Sequence, residues 1–423
     1  MKIGLFLPVY YEGGSFRIAK IYAKLLKNYS DKFGLNLQIV FGNTDSRYDL
    51  DTDLGDLVDM GIEIRHLEMK RFTAQEGLEY CELLGLKKEN LRSYKGDYVV
   101  PFDGGNGYLD CDFWLFMVDR LDGAVLPFRA FGIFATDFIQ RYIPDIFDSG
   151  LYANPIFLNT IYRNFRNADV AFASSPGTAE DLLSYVGRKK EITLLDPLYD
   201  DSFIEKFVSG PREPQGDYFV WVTNGSIHKN HIRAVKALEL YYSKFGGKLK
   251  CVMTGVHTHF FDPEIDRGIY NQMHPYHRLV NDAIARSENV RKNLLIKGNV
   301  SDREYQEVVS GARFLWHNVI TDNGTFSVIE AARMGVRALS SRYPQQEHID
   351  RSFSLNMKFF DPFDIKDAAA ALSDMEKDLT PYVPPFEKLK NYSYHGACEV
   401  VGAKVYSSIL KSIQLRDYAD FIP

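Results

Sequence analysis

The chain has little that would tie it to nucleic acid, to an oxidising compartment or to a bilayer. Positive charge is not in surplus: 50 Lys and Arg stand against 56 Asp and Glu, a formal net charge of −6. Neutralising a phosphate backbone needs the opposite balance, so a general nucleic-acid binder is excluded, although a local basic pocket is not. The four cysteines, Cys81, Cys111, Cys251 and Cys398, are far apart and form no C-x-x-C pair. They read as reduced, buried thiols of a cytosolic protein, not as a disulfide framework. No stretch approaches the roughly 18 apolar residues of a membrane span. The opening MKIGLFLPVYYEGG carries one Lys and a short apolar run that meets glycines without a small-residue cleavage site. It predicts a first β-strand and not a signal peptide. The expectation is a cytoplasmic protein, soluble or at most peripheral at the inner face of a membrane.

What is present is patterned. A length of 423 residues exceeds one ordinary core, and 45% hydrophobic content is enough to build two or three. KIGLFLPVY predicts a strand and SFRIAKIYAKLLKNY a helix. LNLQIVFGN, IEIRHLE, CDFWLFMV and GIFAT predict further strands. Near-continuous apolar strands alternating with helices indicate a parallel sheet covered on both faces. From about Asp196 to Gly216, DPLYDDSFIEKFVSGPREPQG is rich in Pro, Gly and charge and reads as a linker. The second half repeats the pattern: YFVWVTN, KLKCVMTG, NLLIKGNV, RFLWHNV and RALSSRY are strands with helices between them. Ser301 and Glu304 form a capping-box pair. The predicted fold is α/β, with two Rossmann-like, doubly wound parallel-sheet domains, at 1–200 and 215–395. Such sheets bind ligands beyond the carboxyl ends of their strands.

Two stretches of the second half carry chemistry. In TDNGTFSVIEAARMG (321–335), Asn323, Gly324 and Thr325 precede a helix, whose N-terminus offers free N–H groups to an anion. A structural alternative is a capping box formed by Ser327 and Glu330. In NGSIHKNHIRAVKAL (224–238), the chain turns at Gly225 and places Lys229 at a helix start, where an ammonium can reach a diphosphate. His228 and His231 could add donors, or all three could be solvated surface residues. Both stretches follow strands of one domain, so both belong to one edge of its sheet. There the loop and helix start would cradle phosphate, and Asp322 and Glu330 would bind hydroxyls.

The order of these motifs resembles the family 4 retaining glycosyltransferases of the GT-B fold. The likeness runs through HKNH, CVMTG, LLIKGNVSDREYQEVVSGARFLW, DNGTFSVIEAARMGVRALSS and YPQQEHID. It extends to LPVYYEGGSFRIAKIYAKLL and NADVAFASSPGTAEDLLSYVG in the first half. The resemblance implies two domains facing a cleft, an N-terminal acceptor domain and a C-terminal donor domain, with a C-terminal helix at 400–423 crossing back to the first. It implies that Lys229 holds the donor diphosphate, that Glu330 binds the ribose, and that Asp322 contacts the transferred sugar. Asn323, Gly324, Thr325 and Phe326 would line phosphate and sugar; Asn224, Gly225 and His228 would complete the donor side. Gly13 and Gly14 would face the reaction centre, with Asp137 as a further catalytic residue. No metal is required.

The sequence departs from the family at three places. Asp322 is one methylene shorter than the usual Glu. Asn224 or Gly225 occupies the region where an Arg commonly precedes the Lys. In GIFATDFIQRYIP, Thr136 stands before Asp137 where a His is expected, leaving Arg129 and His317 as alternatives for that role.

Several signals are set aside. The acidic clusters DLDTD (49–53), DCD (110–112) and LYDDSF (198–203) read as solvated loops. HTH (257–259) and HPYH (274–277) lack a third zinc ligand at recognisable spacing. FDGGNGYLD (102–110) reads as a turn or a mobile acceptor loop. The expected function is metal-independent transfer of a hexose, with mannose from GDP-mannose the best guess, to a glycan or lipid-linked glycan. The alternatives are a catalytically silent GT-B subunit that binds glycan or supports a partner, and a nucleotide-sugar epimerase.

Overall fold

The computed structural model describes residues 1–11, 13–43, 48–83, 96–143, 155–187, 191–200, 216–265, 275–323, 326–378, 380, 382 and 384–420. The chain divides into two compact units. The first comprises Met1–Gln140, Asp145–Asp201 and Lys390–Pro423; the second comprises Arg141–Pro144 and Ser202–Leu389. Most of the expected linker, 201–215, lies outside the described residues.

The strands of the first unit are β1 (Lys2–Leu7), β2 (Gln38–Asn43), β3 (Glu63–His66), β4 (Glu68–Phe72), β5 (Tyr98–Phe102), β6 (Phe113–Phe116), β7 (Ala124–Val125), β8 (Ala130–Ala135), β9 (Val170–Ala173) and β10 (Ile192–Leu194). Seven of them form a parallel sheet in the order β10-β9-β8-β6-β1-β2-β3. Its central strands are buried on both faces, every residue of β6 and β8 included, which is why they read as unbroken apolar runs. The helix Gly14–Phe33 covers this sheet and stops at Gly34, whose φ of 59° suits glycine. The C-terminal helix Cys398–Asp420 packs on it within the same unit, with Gly402 against the Tyr29 ring and Tyr406 tilted on Tyr29.

IEIRHLE is not one strand. After β3 the chain leaves the parallel sheet at the fully buried Leu67, and β4 pairs antiparallel with β5 in a separate three-stranded sheet, β4-β5-β7. The glycine loop 102–110 belongs to a pinned turn. The Asp103 carboxylate accepts the Gly105 and Gly107 N–H groups, and the Tyr108 hydroxyl donates to the His66 carbonyl at 2.5 Å. The loop leaves the carboxyl end of β5 and leads into the start of β6.

The second unit contains β11 (Tyr218–Val222), β12 (Lys250–Thr254), β13 (Leu294–Gly298), β14 (Leu315–His317), β15 (Ala338–Ser341) and β16 (Lys358–Phe360). They form a parallel sheet in the order β13-β12-β11-β14-β15-β16. Phe219 and Trp221 of β11 meet the helix His231–Ser243 through its buried face, His231, Ala234, Val235, Leu238 and Tyr241, the spacing of a helical stripe. Ser301 caps the helix Asp302–Ser310 in a complete capping box with Glu304, as the sequence predicts. The expected α/β class, two Rossmann-like parallel sheets, is the fold observed.

Candidate functional site

The strand order of the second unit fixes where a ligand can be received. The chain runs outward from β11 through β12 to β13, then returns to β14 on the other side of β11 and continues to β15 and β16. The loops leaving the carboxyl ends of β11 and β14 therefore diverge around a topological switch point, the usual crevice of doubly wound sheets. Residues 223–230 form the first loop and residues 318–323 the second.

The two loops are laced together. The Ile320 N–H donates to the His228 carbonyl at 2.7 Å, and the Asn318 amide donates to the carbonyls of Lys229 and Asn230, both at 3.2 Å. Lys229 ends a short 3-10 turn, Ile227–Lys229, and does not begin the helix as expected. Asn230 intervenes at φ 58°, a left-handed position that asparagine tolerates, and its side chain donates to the Pro362 carbonyl. This kink aims the Lys229 side chain across the switch point. Its Nζ donates to Asp322 Oδ2 at 2.5 Å, and His228 Nε2 lies 4.0 Å from the same oxygen. The Asn323 N–H holds the other carboxylate oxygen at 2.8 Å. Burial by itself would raise the Asp322 pKa; the Lys229 ammonium, then the His228 ring, outweigh it and hold the carboxyl down at about 2.

Glu330 lies in the helix Phe326–Arg333, 5% exposed, and accepts the Tyr305 hydroxyl at 2.7 Å from the helix Asp302–Ser310. Ser327 is the second residue of that helix, so the Ser327–Glu330 capping-box alternative is not what forms. Phe326 opens the helix; Gly324 and Thr325 lie outside the described residues. Asn224 accepts the Ser226 N–H through its side chain and shapes the turn. Gly225 has no room for a side chain, because a Cβ would stand 2.7 Å from His277 Nε2, which contacts the Gly225 carbonyl at 2.7 Å.

Several expectations need correction. His231 is no surface residue: it is fully buried between the Thr223 and Tyr276 hydroxyls, so it is a structural histidine and not a ligand donor. His277 braces the Lys229 loop, and His274 lies outside the described residues. Among the described residues no group of three or more His, Cys, Asp or Glu is placed to hold a metal ion. The described carboxylates of the acidic loops are exposed or half-buried, as expected of solvated loops, and are held by local partners. Asp49 accepts N–H groups of its own turn, Asp110 pairs with Arg65 and Lys2, and Asp200 pairs with Lys24.

The remaining candidates, His317 apart, belong to the first unit. Gly13 precedes the helix Gly14–Phe33 at φ 89°, a conformation that favours glycine. Asp137 follows β8, and its carboxylate takes Arg120 at 2.6 Å. Thr136 donates to Asp119 at 2.8 Å, and burial raises the Asp119 pKa to about 6 against the pull of Arg120. Of the two alternatives for the missing histidine role, Arg129 precedes β8 at the amino edge and donates to the Leu109 carbonyl. His317 ends β14 in the second unit, beside the Lys229–Asp322 pair, where burial and then Lys229 push its pKa down to about 3. Tyr305 was not singled out by the sequence: it sits on an ordinary amphipathic helix, 25 residues from Glu330, with no local signal.

No family model and no curated protein matches the sequence. Solved structures share its fold. The structure of HepE from Anabaena, in complex with UDP and glucose, matches with a TM-score of 0.59 at 12% identity, over 99% of this chain and 99% of that one. Sucrose-phosphate synthase from Thermosynechococcus elongatus gives a TM-score of 0.56 at 13% identity, over 99% and 98% of the two chains. A glycosyltransferase from Rickettsia africae gives 0.55 at 14%, over 99% and 97%. The α/β fold with two Rossmann-like sheets is thus that of GT-B glycosyltransferases.

Proposed function

We propose that the protein is a retaining glycosyltransferase that moves a hexose from a nucleoside-diphosphate sugar to a hydroxyl of a glycan or lipid-linked glycan, without a metal ion. The observation that carries this reading is the convergence of Lys229 and Asp322, 93 residues apart in the chain, at the switch point of the second sheet. A cation beside a carboxylate at that edge suits a ligand with a diphosphate on one side and hydroxyls on the other.

In this reading Lys229 leaves Asp322 for the diphosphate and stabilises the charge that grows as the nucleotide departs. Asp322, an acceptor only, then takes hydrogen bonds from sugar hydroxyls. Glu330, oriented by Tyr305, receives the ribose hydroxyls. The acceptor oxygen bonds to the anomeric carbon on the face from which the phosphate oxygen leaves, and its proton passes to that phosphate oxygen. The sequence motifs favour GDP-mannose as donor, whereas HepE, of the same fold, was solved with UDP and glucose. A silent binding subunit is the competing reading, motivated by Thr136, by Asp322 in place of Glu and by the missing Arg before Lys229.

A thermal-shift titration with GDP, UDP, ADP and their sugar conjugates, without and with Mg²⁺, tests this directly. A ligand at about 100 times its dissociation constant adds roughly 2.7 kcal/mol, a shift of a few degrees. One nucleotide should stabilise the parent without metal and stabilise Lys229→Ala much less. Silence from every nucleotide on folded protein would favour the silent subunit, and a shift that needs Mg²⁺ would remove metal independence.

A further inference from the structure

One polar atom is left without a partner, among the described residues, where the charged groups of the second unit meet. His317 is 2% exposed, and its Nδ1 lies 2.9 Å from the Ser340 hydroxyl, while its Nε2 has no hydrogen-bond partner among those residues. A buried nitrogen without a partner costs stability that an apolar residue of similar size would not. The groups whose charges act on the ring are Lys229, Asp322 and His228, and the Tyr343 ring lies 6.3 Å from it. The imidazole therefore sits against the donor-side groups.

The neighbours also indicate what Nε2 can bind. The Ser340 hydroxyl lies 3.3 Å from the Ser341 carbonyl, to which it donates. Nδ1–H then donates to Ser340, and Nε2 presents a lone pair. If the Ser340 proton turns to the ring instead, Nε2 carries the hydrogen. A sugar hydroxyl both donates and accepts, so it satisfies either tautomer; a phosphate oxygen or an ammonium satisfies only one. Burial keeps the ring neutral near pH 7, so it is no cation for a phosphate.

We propose that His317 is a specificity-determining residue of the donor site, its Nε2 sharing a hydrogen bond with one hydroxyl of the transferred sugar beside Asp322. This rests on the donor-site reading above. Lys229 is engaged by Asp322, and a diphosphate that draws the ammonium away leaves carboxylate and imidazole together facing the sugar. A bare nucleoside diphosphate gains nothing from His317; only the sugar conjugate does.

The test is a calorimetric cycle on the full chain and on His317→Phe. The probes are UDP, UDP-glucose, GDP, GDP-mannose and conjugates lacking one sugar hydroxyl at a time. His317→Phe should bind the nucleoside diphosphate within about twofold of the parent and its sugar conjugate about tenfold more weakly, or ~1.4 kcal/mol. One deoxy conjugate should bind the parent about tenfold more weakly than the full sugar and bind the variant no worse than the full sugar does. His317→Gln, whose amide both donates and accepts, should recover part of the loss and serves where the Phe variant does not fold. Identical binding of every conjugate by parent and variants would overturn the proposal and assign Nε2 to a structural water. A uniform loss that includes the bare diphosphate would overturn it as well, since His317 would then only shape the loops. A parent that binds no nucleotide removes the donor site itself, and this proposal with it.

Discussion

Replacing Asp322 by Asn tests the centre of the site with the least change of shape. The parent carboxylate bonds to Lys229 Nζ at 2.5 Å, with the two side chains 17% and 12% exposed, so solvent screens the pair little. Its pKa falls from the ordinary 3.8 to about 2 in the folded protein. A carboxyl with a depressed folded pKa adds stability above its unfolded pKa and loses it as pH falls through the folded value. At ~1.4 kcal/mol per pH unit, the shift corresponds to about 2 kcal/mol at pH 7, and to about half of that at pH 3. The amide of Asp322→Asn cannot ionise, so the variant lacks this contribution at every pH. Chemical denaturation of parent and variant, followed by tryptophan fluorescence from Trp221 and Trp316, should show a gap of about that size at pH 7 that narrows below pH 4. A gap that stays constant from pH 7 to pH 3, or no gap at all, would refute the assignment of this ion pair as the source of the shift.

Other consequences follow from single contacts. Tyr305→Phe removes a hydrogen bond to the Glu330 carboxylate and should cost about 1.5 kcal/mol of stability, read by urea denaturation, and weaken nucleotide binding without touching it. Ser301→Ala deletes one half of a complete capping box and should cost about 1 kcal/mol, with nucleotide affinity unchanged in the same titration. Gly255→Ala should be far more damaging: at φ 133° its Cβ would press on the Thr223 carbonyl, so expression or melting temperature should fall sharply. The free thiols should resist alkylation in the native protein, because Cys251 is fully buried and burial raises its pKa well above the ordinary value; fast native labelling at Cys251 would contradict that burial.

The sequence by itself determined the class of fold and the features made within one turn of chain. Strands buried on both faces must be apolar throughout, and helices on such a sheet must show a 3.6-residue stripe, so KIGLFL, YFVWV and the helix at 231–243 announce themselves locally. Ser301 and Glu304 were legible for the same reason: a cap is made within one turn of chain. Only the tertiary structure decided which loops meet. Strand order places the end of β11 next to the end of β14 and so joins Lys229 to Asp322, and helix packing brings Tyr305 to Glu330; no local period encodes either contact. It also decided the fate of residues that look alike in the sequence. His228 faces a carboxylate, His231 is satisfied in the core, and His317 keeps a nitrogen unpaired among the described residues, beside the ion pair. Burial and partnership of a polar side chain depend on what the rest of the chain lays against it, and that information is spread over hundreds of residues, not over one motif.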